Sequence, residues 1–320
     1  MTSTSAAPRW IGKDEDFNVV FPPRTQLPFR VLQSLGKGYF GIVHKIQVDD
    51  RYLARKTTKN ITHLDKSKIA EVQNEINVMR TLGLHRHIVQ IVGSYTQDMQ
   101  YGILLSPVAD CNLEQFLKNS LGPSQDAVQR RTMIVPTMIG CLTSGLSWAH
   151  AKNVRHKDLK PNNVLILNNK VLISDFGLAI EFDKDSSTMD NTGMVYQPYK
   201  SPEHDRGEER NRKSDIFTLG CIFLDMYTVM SGNTPQARED AIGPTFCLNL
   251  PAVHKWLDSL SHGRAPSELL FHATLKKMFS EQKDDRPSAM EVWKCALASR
   301  TGEGTCFCGE CCLTIDIEHE

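Results

Sequence analysis

The chain has 320 residues, of which 40% are hydrophobic and 23% are charged, as in an ordinary globular protein. Basic and acidic residues number 37 each, so no net charge marks nucleic acid or an anionic membrane as the main partner. The first residues carry no apolar signal segment, and no apolar run reaches the ~18–20 residues that span a bilayer. We therefore expect an intracellular, cytoplasmic protein without a transmembrane segment.

The first third of the chain combines short strand patterns with one helical segment. Residues 1–26 read as an extended lead-in outside the core. Strand patterns follow over residues 29–57, and apolar residues recur at helical spacing over residues 66–81. Further strand-like runs lie within residues 88–105. These patterns predict a small sheet that carries one helix.

The remaining two thirds are mainly helical. The helical patterns cover Leu113 to Leu117, Val128 to Ala151, Ser214 to Met230 and Leu269 to Phe279. Residues 153–202 form a loop-rich stretch dense in polar and charged residues, where chemistry is usually carried. The predicted fold class is α+β and bilobal: a small β-rich lobe with one helix joins a larger, mainly helical lobe, with the active site between them.

A glycine-rich segment lies between the first two strands. Residues 35–43 read L-G-K-G-Y-F-G-I-V, with glycines at Gly36, Gly38 and Gly41. Glycines let backbone N–H groups approach a polyphosphate closely, so the loop can lie over the phosphates of ATP. A dinucleotide-binding loop would lead into a helix, whereas this loop leads into more strand, which disfavours that interpretation.

Two charged residues further along could position the phosphates. Lys56 lies on the following strand, where a cation can reach the α- and β-phosphates. Glu75 lies on the predicted helix and can pair with Lys56. Taken singly, each residue is more typical of a solvated surface.

The most specific segment reads H-K-D-L-K-P-N-N from His156, followed by D-F-G from Asp175. Phosphoryl transfer needs positioning, charge neutralisation and Mg²⁺ more than covalent chemistry. Asp158 can accept the proton of a substrate hydroxyl, and Lys160 can offset charge on the transferred group. Asn163 and Asp175 supply the hard oxygen ligands that Mg²⁺ prefers.

In this order the motifs resemble the eukaryotic protein kinase family, serine/threonine type, over nearly the whole chain. The resemblance implies a kinase domain over residues 27–298, with an N-lobe of about 27–107 and a C-lobe of about 108–298. It also implies that Glu203 pairs with Arg286, and that Asp215 begins the segment that caps a C-lobe helix.

The resemblance assigns further residues by position. Leu35, with the three glycines, would cover the nucleotide. The adenine would be held by Val43, Ala54, Leu105, Ser106, Val108 and Leu165, with Leu105 as gatekeeper. An apolar spine would be formed by Met79, His156 and Phe176.

The implied function is transfer of the γ-phosphoryl group of ATP, with Mg²⁺, to serine or threonine hydroxyls of protein substrates. Lys160 favours this class over tyrosine kinases, and dual specificity stays open. A pseudokinase scaffold that binds nucleotide with little turnover is the alternative, although Lys56, Asp158 and Asp175 are all present. A kinase-like enzyme that phosphorylates a small molecule is a weaker alternative. The sequence does not predict the substrate, the pathway or the oligomeric state.

Two positions depart from the family pattern. Lys157 stands where many kinases have arginine, so activation by phosphorylation of the loop residues Ser186, Ser187, Thr188 or Thr192 is not required by the motif. Tyr196 stands where serine/threonine kinases have a threonine, and its bulk could hinder the substrate groove.

Residues 299–320 form a cysteine-rich tail with Cys306, Cys308, Cys311 and Cys312. Three interpretations stay open: a disordered end, a reversible acylation site that tethers the protein to a membrane, or a metal or redox cluster. The second half of a spaced zinc pattern is missing, which argues against a structural zinc module.

Overall fold

The computed structural model describes residues 18–37, 41–58, 66–98, 100–182, 198–260, 265–299 and 304–312. The chain separates into two compact units. Unit 1 consists of Met1–Ala109 and Phe176–Ala179, and unit 2 consists of Asp110–Asp175 and Ile180–Glu320. The first break lies close to the expected lobe boundary at residue 107. The sequence did not predict that Phe176–Ala179, which lie between two parts of unit 2 in the chain, belong to unit 1.

Within its described residues, unit 1 is a six-stranded sheet with one α-helix. The elements are β1 (Asn18–Val20), β2 (Arg30–Lys37), β3 (Gly41–Val48), β4 (Arg51–Thr58), α1 (Lys66–Leu82), β5 (Gln90–Gln97) and β6 (Gln100–Ser106). The spatial order is β1-β5-β6-β4-β3-β2. Only β1 and β5 pair in parallel; the other neighbours are antiparallel. The predicted small sheet with one helix is confirmed.

Each face of this sheet carries a buried apolar cluster, and neighbouring residues on a strand belong to different clusters because successive side chains point to opposite faces. Leu104 belongs to one buried cluster with Leu53 and Tyr95. Its neighbour Ile103 belongs to another, which it forms with Val72 and Ile76 of α1. Helix α1 covers the face on which Ile103 lies. Directly paired residues on neighbouring strands point to the same face, so a β4 residue paired with Ile103 also points towards α1.

The N-terminal segment is more integrated than expected. Asn18 pairs with Ser94 in register, and Ser94 Oγ donates a hydrogen bond to Asn18 Oδ1 over 3.1 Å. Val19 and Phe21 pack against the cluster that contains Tyr95. The expectation that residues 1–26 lie outside the core is therefore wrong for Val19 and Phe21, whereas residues 22–26 are exposed as expected.

Unit 2 is mainly helical, as predicted. Its strands are β7 (Cys111–Asn112), β8 (Val154–Arg155), β9 (Val164–Leu167), β10 (Lys170–Ile173) and β11 (Ile180–Glu181). Its helices are α2 (Leu113–Asn119), α3 (Gln125–Gln129), α4 (Val135–Ala151), α5 (Pro202–Asp205), α6 (Arg212–Met230), α7 (Pro235–Ile242), α8 (Leu250–Ser259), α9 (Pro266–Met278) and α10 (Ala289–Ala298). The strands form the small sheets β10-β9-β7 and β11-β8.

Local sequence explains where several helices begin. Asn112 and Gln115 cap α2 reciprocally, each side chain bonding the other residue's backbone N–H. Ser288 and Glu291 do the same for α10. Each such cap typically contributes about 1 kcal/mol, because it satisfies backbone donors that the first turn leaves unpaired.

Helix α4 lies at the centre of unit 2. A π-helical turn, Arg130–Ile134, joins it to α3. Of the described helices, only this continuous segment, Gln125–Ala151, is long and apolar enough to cross a membrane by length and composition. Because 72% of its most apolar stretch is buried inside the structure, we assign it as a core helix.

Candidate active site

Lys56 and Glu75 form a buried ion pair in unit 1. Lys56 on β4 lies opposite Ile103, so its side chain leaves the sheet on the face that α1 covers. Its Nζ is 2.6 Å from Glu75 Oε1, and the two side chains are 12% and 4% exposed. The predicted contact is present, and its role in positioning phosphates stays a prediction.

Three of the adenine-binding residues predicted in unit 1 lie on the same face of the sheet as this lysine. Val43 pairs directly with Lys56, and Ala54 pairs with Leu105, so these side chains share one face of the sheet. Ser106 is the last residue of β6 and Val108 follows the strand, and both are half-buried. This face is an apolar surface beside a cation, as a nucleotide site requires. In unit 2, Leu165 on β9 is also half-buried.

The glycine-rich segment is only partly described. Leu35 and Gly36 lie near the end of β2 and are exposed, whereas Gly41 begins β3 and is buried. A Cβ atom at Gly41 would lie 1.6 Å from the carbonyl oxygen of Thr57, so only glycine fits there. Gly38 lies outside the described residues.

The segment Phe176–Ala179 is held on α1 within unit 1. Asn74 of α1 donates a hydrogen bond from Nδ2 to the carbonyl oxygen of Ala179 over 2.7 Å. Phe176 is fully buried and Met79 is 3% exposed. Two of the three predicted spine residues thus belong to this unit, whereas His156 is buried in unit 2.

Asp158, the predicted proton acceptor, lies in unit 2 and accepts hydrogen bonds from two neighbouring side chains. Lys160 Nζ donates to its Oδ2 over 2.7 Å, and Asn163 Nδ2 donates to the same oxygen over 3.0 Å. Asn163 Nδ2 also donates to the backbone oxygen of Asp158 over 2.8 Å. The carboxylate is 16% exposed. The structure thus brings two predicted residues, Lys160 and Asn163, to one carboxylate oxygen of a third.

Asp215, at the start of α6, holds the backbone of this loop. Its carboxylate accepts hydrogen bonds from the backbone N–H of His156 over 3.0 Å and of Lys157 over 2.9 Å. His150 Nε2 lies 3.0 Å from the same group. Burial by itself raises the pKa of Asp215, but the hydrogen bonds and nearby histidines outweigh it and lower the pKa. Asp215 therefore stays ionised and fixes the loop.

Asn163 and Asp175 are linked through Ser174. The backbone N–H and the hydroxyl of Ser174 both donate to the carbonyl oxygen of Asn163, each over 2.9 Å. Asp175 follows directly with φ 63°, a left-handed conformation that is uncommon outside glycine and concentrates at functional sites. The backbone therefore sets the spacing between the two residues.

The donor set fits Mg²⁺. Asn163 uses its amide nitrogen in the contacts with Asp158, which leaves the amide oxygen for a cation. Asp175 is half-buried and supplies a carboxylate. Magnesium is usually bound by one or two such oxygens, with water and phosphate completing its shell.

Glu203 and Arg286 form the predicted buried pair. Arg286 Nη1 and Nη2 donate to the two carboxylate oxygens over 2.8 Å each, and both side chains are at most 2% exposed. Ser214 adds a hydrogen bond over 2.6 Å. Nearby, Tyr199 donates its hydroxyl proton to Asp225 over 2.6 Å.

Several sequence-based expectations cannot be compared with the structure. Tyr196 and the loop residues Ser186, Ser187, Thr188 and Thr192 lie outside the described residues. Conversely, Asn74, His150 and Ser174 were not predicted. No local motif marks these three, because each acts on a partner that only the folded chain brings near.

Comparison with known proteins agrees with the geometry. The family model of the protein kinase domain matches residues 29–297. The chain is 27% identical over 293 residues to the mitogen-activated protein kinase kinase kinase bck1 of Aspergillus fumigatus, covering 84% of this chain and 17% of that protein. It is 30% identical over 221 residues to the probable serine/threonine-protein kinase PknB of Lactococcus lactis, covering 67% and 33%. The chain therefore spans at most a third of these relatives.

Proposed function

The chain belongs to the protein kinase family, and we propose that it is an active enzyme that transfers the γ-phosphoryl group of ATP to serine or threonine hydroxyls of proteins. The observation that carries the proposal is the arrangement at Asp158. One of its carboxylate oxygens is held by Lys160 and Asn163, over 2.7 and 3.0 Å. A fixed carboxylate next to a cation suits a proton acceptor beside a transferred phosphoryl group.

In the proposed reaction the substrate hydroxyl oxygen forms a bond to the γ-phosphorus, and the bond from that phosphorus to the β,γ-bridging oxygen breaks. ADP leaves with the electron pair. The hydroxyl proton passes to the carboxylate of Asp158. Lys160 then offsets negative charge on the transferred group. Most of the rate enhancement comes from positioning and charge stabilisation, because the protein supplies little covalent chemistry.

The other charged residues orient the nucleotide. Lys56, fixed by Glu75, would contact the α- and β-phosphates, and the face with Val43, Ala54 and Leu105 would hold the adenine. Asn163 and Asp175 would bind Mg²⁺, which neutralises phosphate charge when it is present.

The serine/threonine preference rests on two observations. Lys160 follows Asp158 by two positions, as in kinases that phosphorylate serine and threonine. Relatives such as PknB of Lactococcus lactis and PrkC of Bacillus subtilis carry serine/threonine-protein kinase in their names. The alternative of a nucleotide-binding scaffold predicts binding of ATP without transfer.

A pair of lysine variants tests the proposal. Lys45, on the neighbouring strand, is two register pairs away from Lys56 and lies over the ring of Tyr52 at 4.5 Å. We expect Lys56→Met to abolish transfer from γ-labelled ATP to a generic basic protein, and Lys45→Met to retain it. Equal activity of wild type and Lys56→Met would contradict the role of Lys56. ATP binding by the wild type without any transfer would support the scaffold alternative.

A further inference from the structure

Four thiols from distant parts of the chain meet in unit 2. Cys141 lies on α4, and its Sγ is 3.4 Å from that of Cys311 and 3.8 Å from that of Cys312. The three sulfurs all lie within 4.8 Å of one another. Cys308 makes hydrogen-bond contacts with Cys141 and Cys312. We call these four residues the cysteine cluster.

The tail segment 304–312 that carries three of these thiols is packed into unit 2. Phe307 is fully buried, and its ring lies 4.7 Å from that of Phe271 and 5.8 Å from that of Tyr227. Its carbonyl oxygen accepts a hydrogen bond from the backbone of Gly140 over 2.7 Å, and its own N–H donates to Ser299 Oγ. For these residues the expectation of a disordered end is therefore wrong.

The fit between the tail and α4 is close enough to depend on glycine. A Cβ atom at Gly140 would lie 2.6 Å from Cys308 Sγ, closer than real atoms approach. A Cβ atom at Gly309 would lie 3.2 and 3.3 Å from the sulfurs of Cys311 and Cys141. At these two positions the absence of a side chain leaves the space that the neighbouring thiols occupy.

Two sulfur–sulfur distances in the cluster are close to those of a tetrahedral metal centre. Four zinc–sulfur bonds of about 2.3 Å in a tetrahedron place neighbouring sulfurs about 3.8 Å apart. The measured 3.4 and 3.8 Å lie near that value. A disulfide bond would require about 2.05 Å, and all nine cysteines are free.

The donor set and its sequence spacing also point to zinc. Cys308 and Cys311 have the C-x-x-C spacing in which two thiols of one turn chelate one ion. Cys141 is 170 residues from Cys311 in the chain, so the ligand that it supplies could not be recognised from the sequence near the tail. Thiolates favour Zn²⁺ over Mg²⁺ or Ca²⁺, which prefer oxygen ligands.

We propose that the cysteine cluster binds one Zn²⁺ ion through Cys141, Cys308, Cys311 and Cys312, and so fastens the tail to α4. On binding, each thiol gives its proton to solvent and forms a bond to zinc, with no change of oxidation state. Four protein ligands leave no position for water, which makes this a structural site. The proposal does not depend on kinase activity.

The test is the metal content of the purified chain after incubation with Zn²⁺ and removal of unbound metal. We expect one zinc ion per chain by inductively coupled plasma mass spectrometry, and loss of that ion when any of the four cysteines is changed to serine. Cys306→Ser is the matched control, since Cys306 lies in the same tail but outside the cluster. Cys295→Ser on α10 is a remote control. Both should retain the ion.

A second measurement uses the wild type alone, so that misfolding of a cysteine variant cannot be mistaken for loss of a metal ligand. Wild-type protein loaded with Co²⁺ in place of zinc should show thiolate-to-cobalt charge-transfer absorption and the strong visible bands of a tetrahedral site. Absence of zinc from the wild type, full retention of zinc by Cys141→Ser, or a weak octahedral cobalt spectrum would overturn the proposal. So would an intact mass that shows a disulfide bond or a thioester-linked acyl chain on these cysteines.

Discussion

Glu203 and Arg286 face each other through two parallel N–H···O contacts of 2.8 Å, although they are 83 residues apart in the chain. The remaining donors of the guanidinium bond to backbone carbonyl oxygens of Ser280, Lys213 and Glu281. The ring of Phe217 lies 5.0 Å from its centre. A buried charge pair with its hydrogen bonds satisfied in this way stabilises the unit only as long as both members are present.

We expect Glu203→Gln to lower the free energy of unfolding by about 3–5 kcal/mol, because it leaves Arg286 charged and buried without its partner. Glu208→Gln is the control, since the Glu208 side chain is 51% exposed where it pairs with Arg206. An exposed pair of this kind contributes about 1 kcal/mol or less. Urea unfolding of both variants measures the difference. Similar losses in the two would contradict this account of the buried pair.

The same pair predicts how stability depends on pH. Burial alone raises the pKa of Glu203, but hydrogen bonds and charge from Arg286 outweigh it and lower the pKa from 4.5 to about 2. Between pH 4.5 and about 2 this carboxylate is therefore mostly ionised in the folded protein and mostly protonated in the unfolded chain. The resulting stabilisation is complete above pH 4.5 and is lost as the pH falls towards about 2.

Unfolding free energies measured at intervals across that range check this prediction. The wild type should lose stability more steeply than Glu203→Gln as the pH falls, because the glutamine side chain does not titrate. Parallel curves for the two proteins would show that Glu203 does not have a lowered pKa in the folded state.

We expect Asp215→Asn to lower kcat while the KM for ATP stays nearly unchanged. The variant replaces one carboxylate oxygen, which accepts from the backbone of His156 or Lys157, by an amide nitrogen that cannot accept. Loss of a hydrogen bond to a charged group costs about 1.5–3 kcal/mol, and when the whole cost falls on the transition state the rate drops about 10–150-fold. Steady-state kinetics with ATP and a protein substrate measure both constants.

Asp258 offers the matched control for that variant. It also contacts a histidine and a lysine, His272 and Lys276, but its side chain is 53% exposed. Asp258→Asn should leave kcat and KM at wild-type values. If Asp215→Asn behaves like Asp258→Asn, the backbone of residues 156–157 does not depend on Asp215 for its position.

Gly140→Ala should loosen the tail of unit 2. The added methyl group would lie 2.6 Å from Cys308 Sγ and 2.7 Å from the carbonyl oxygen of Phe307, so the tail must move away from α4. We expect faster alkylation of Cys308 and Cys312 by iodoacetamide under native conditions, read by peptide mass spectrometry. Unchanged protection of both thiols would contradict the described packing of residues 304–312.

Local motifs predicted one part of this molecule well. Lys56, Asp158 and Asn163 lie in short segments whose residue types and order are specific, and the structure forms the contacts of Lys56 with Glu75 and of Asp158 with Asn163. These positions were accessible to sequence reasoning because phosphoryl transfer restricts which side chains can serve at each of them.

Features that depend on distant partners could not be predicted. Strand β1 has three residues, too few to show alternation, and becomes visible only through its pairing with β5. Helix α7 buries only Arg238 and Ile242, so no apolar periodicity marks it. The contact between Cys141 and Cys311 spans 170 residues, a separation at which a lone helix cysteine carries no signal.

The measurement that tests the central claim most directly is phosphate transfer from γ-labelled ATP, with Mg²⁺, by the wild type and by Asp158→Asn side by side. Asparagine keeps the size of the side chain but cannot take the hydroxyl proton. We predict label on serine or threonine of a basic protein substrate with the wild type, and its loss in the variant while ATP binding persists. Equal transfer by both proteins, or no transfer by the wild type, would contradict the proposal that this chain is a kinase that acts through Asp158.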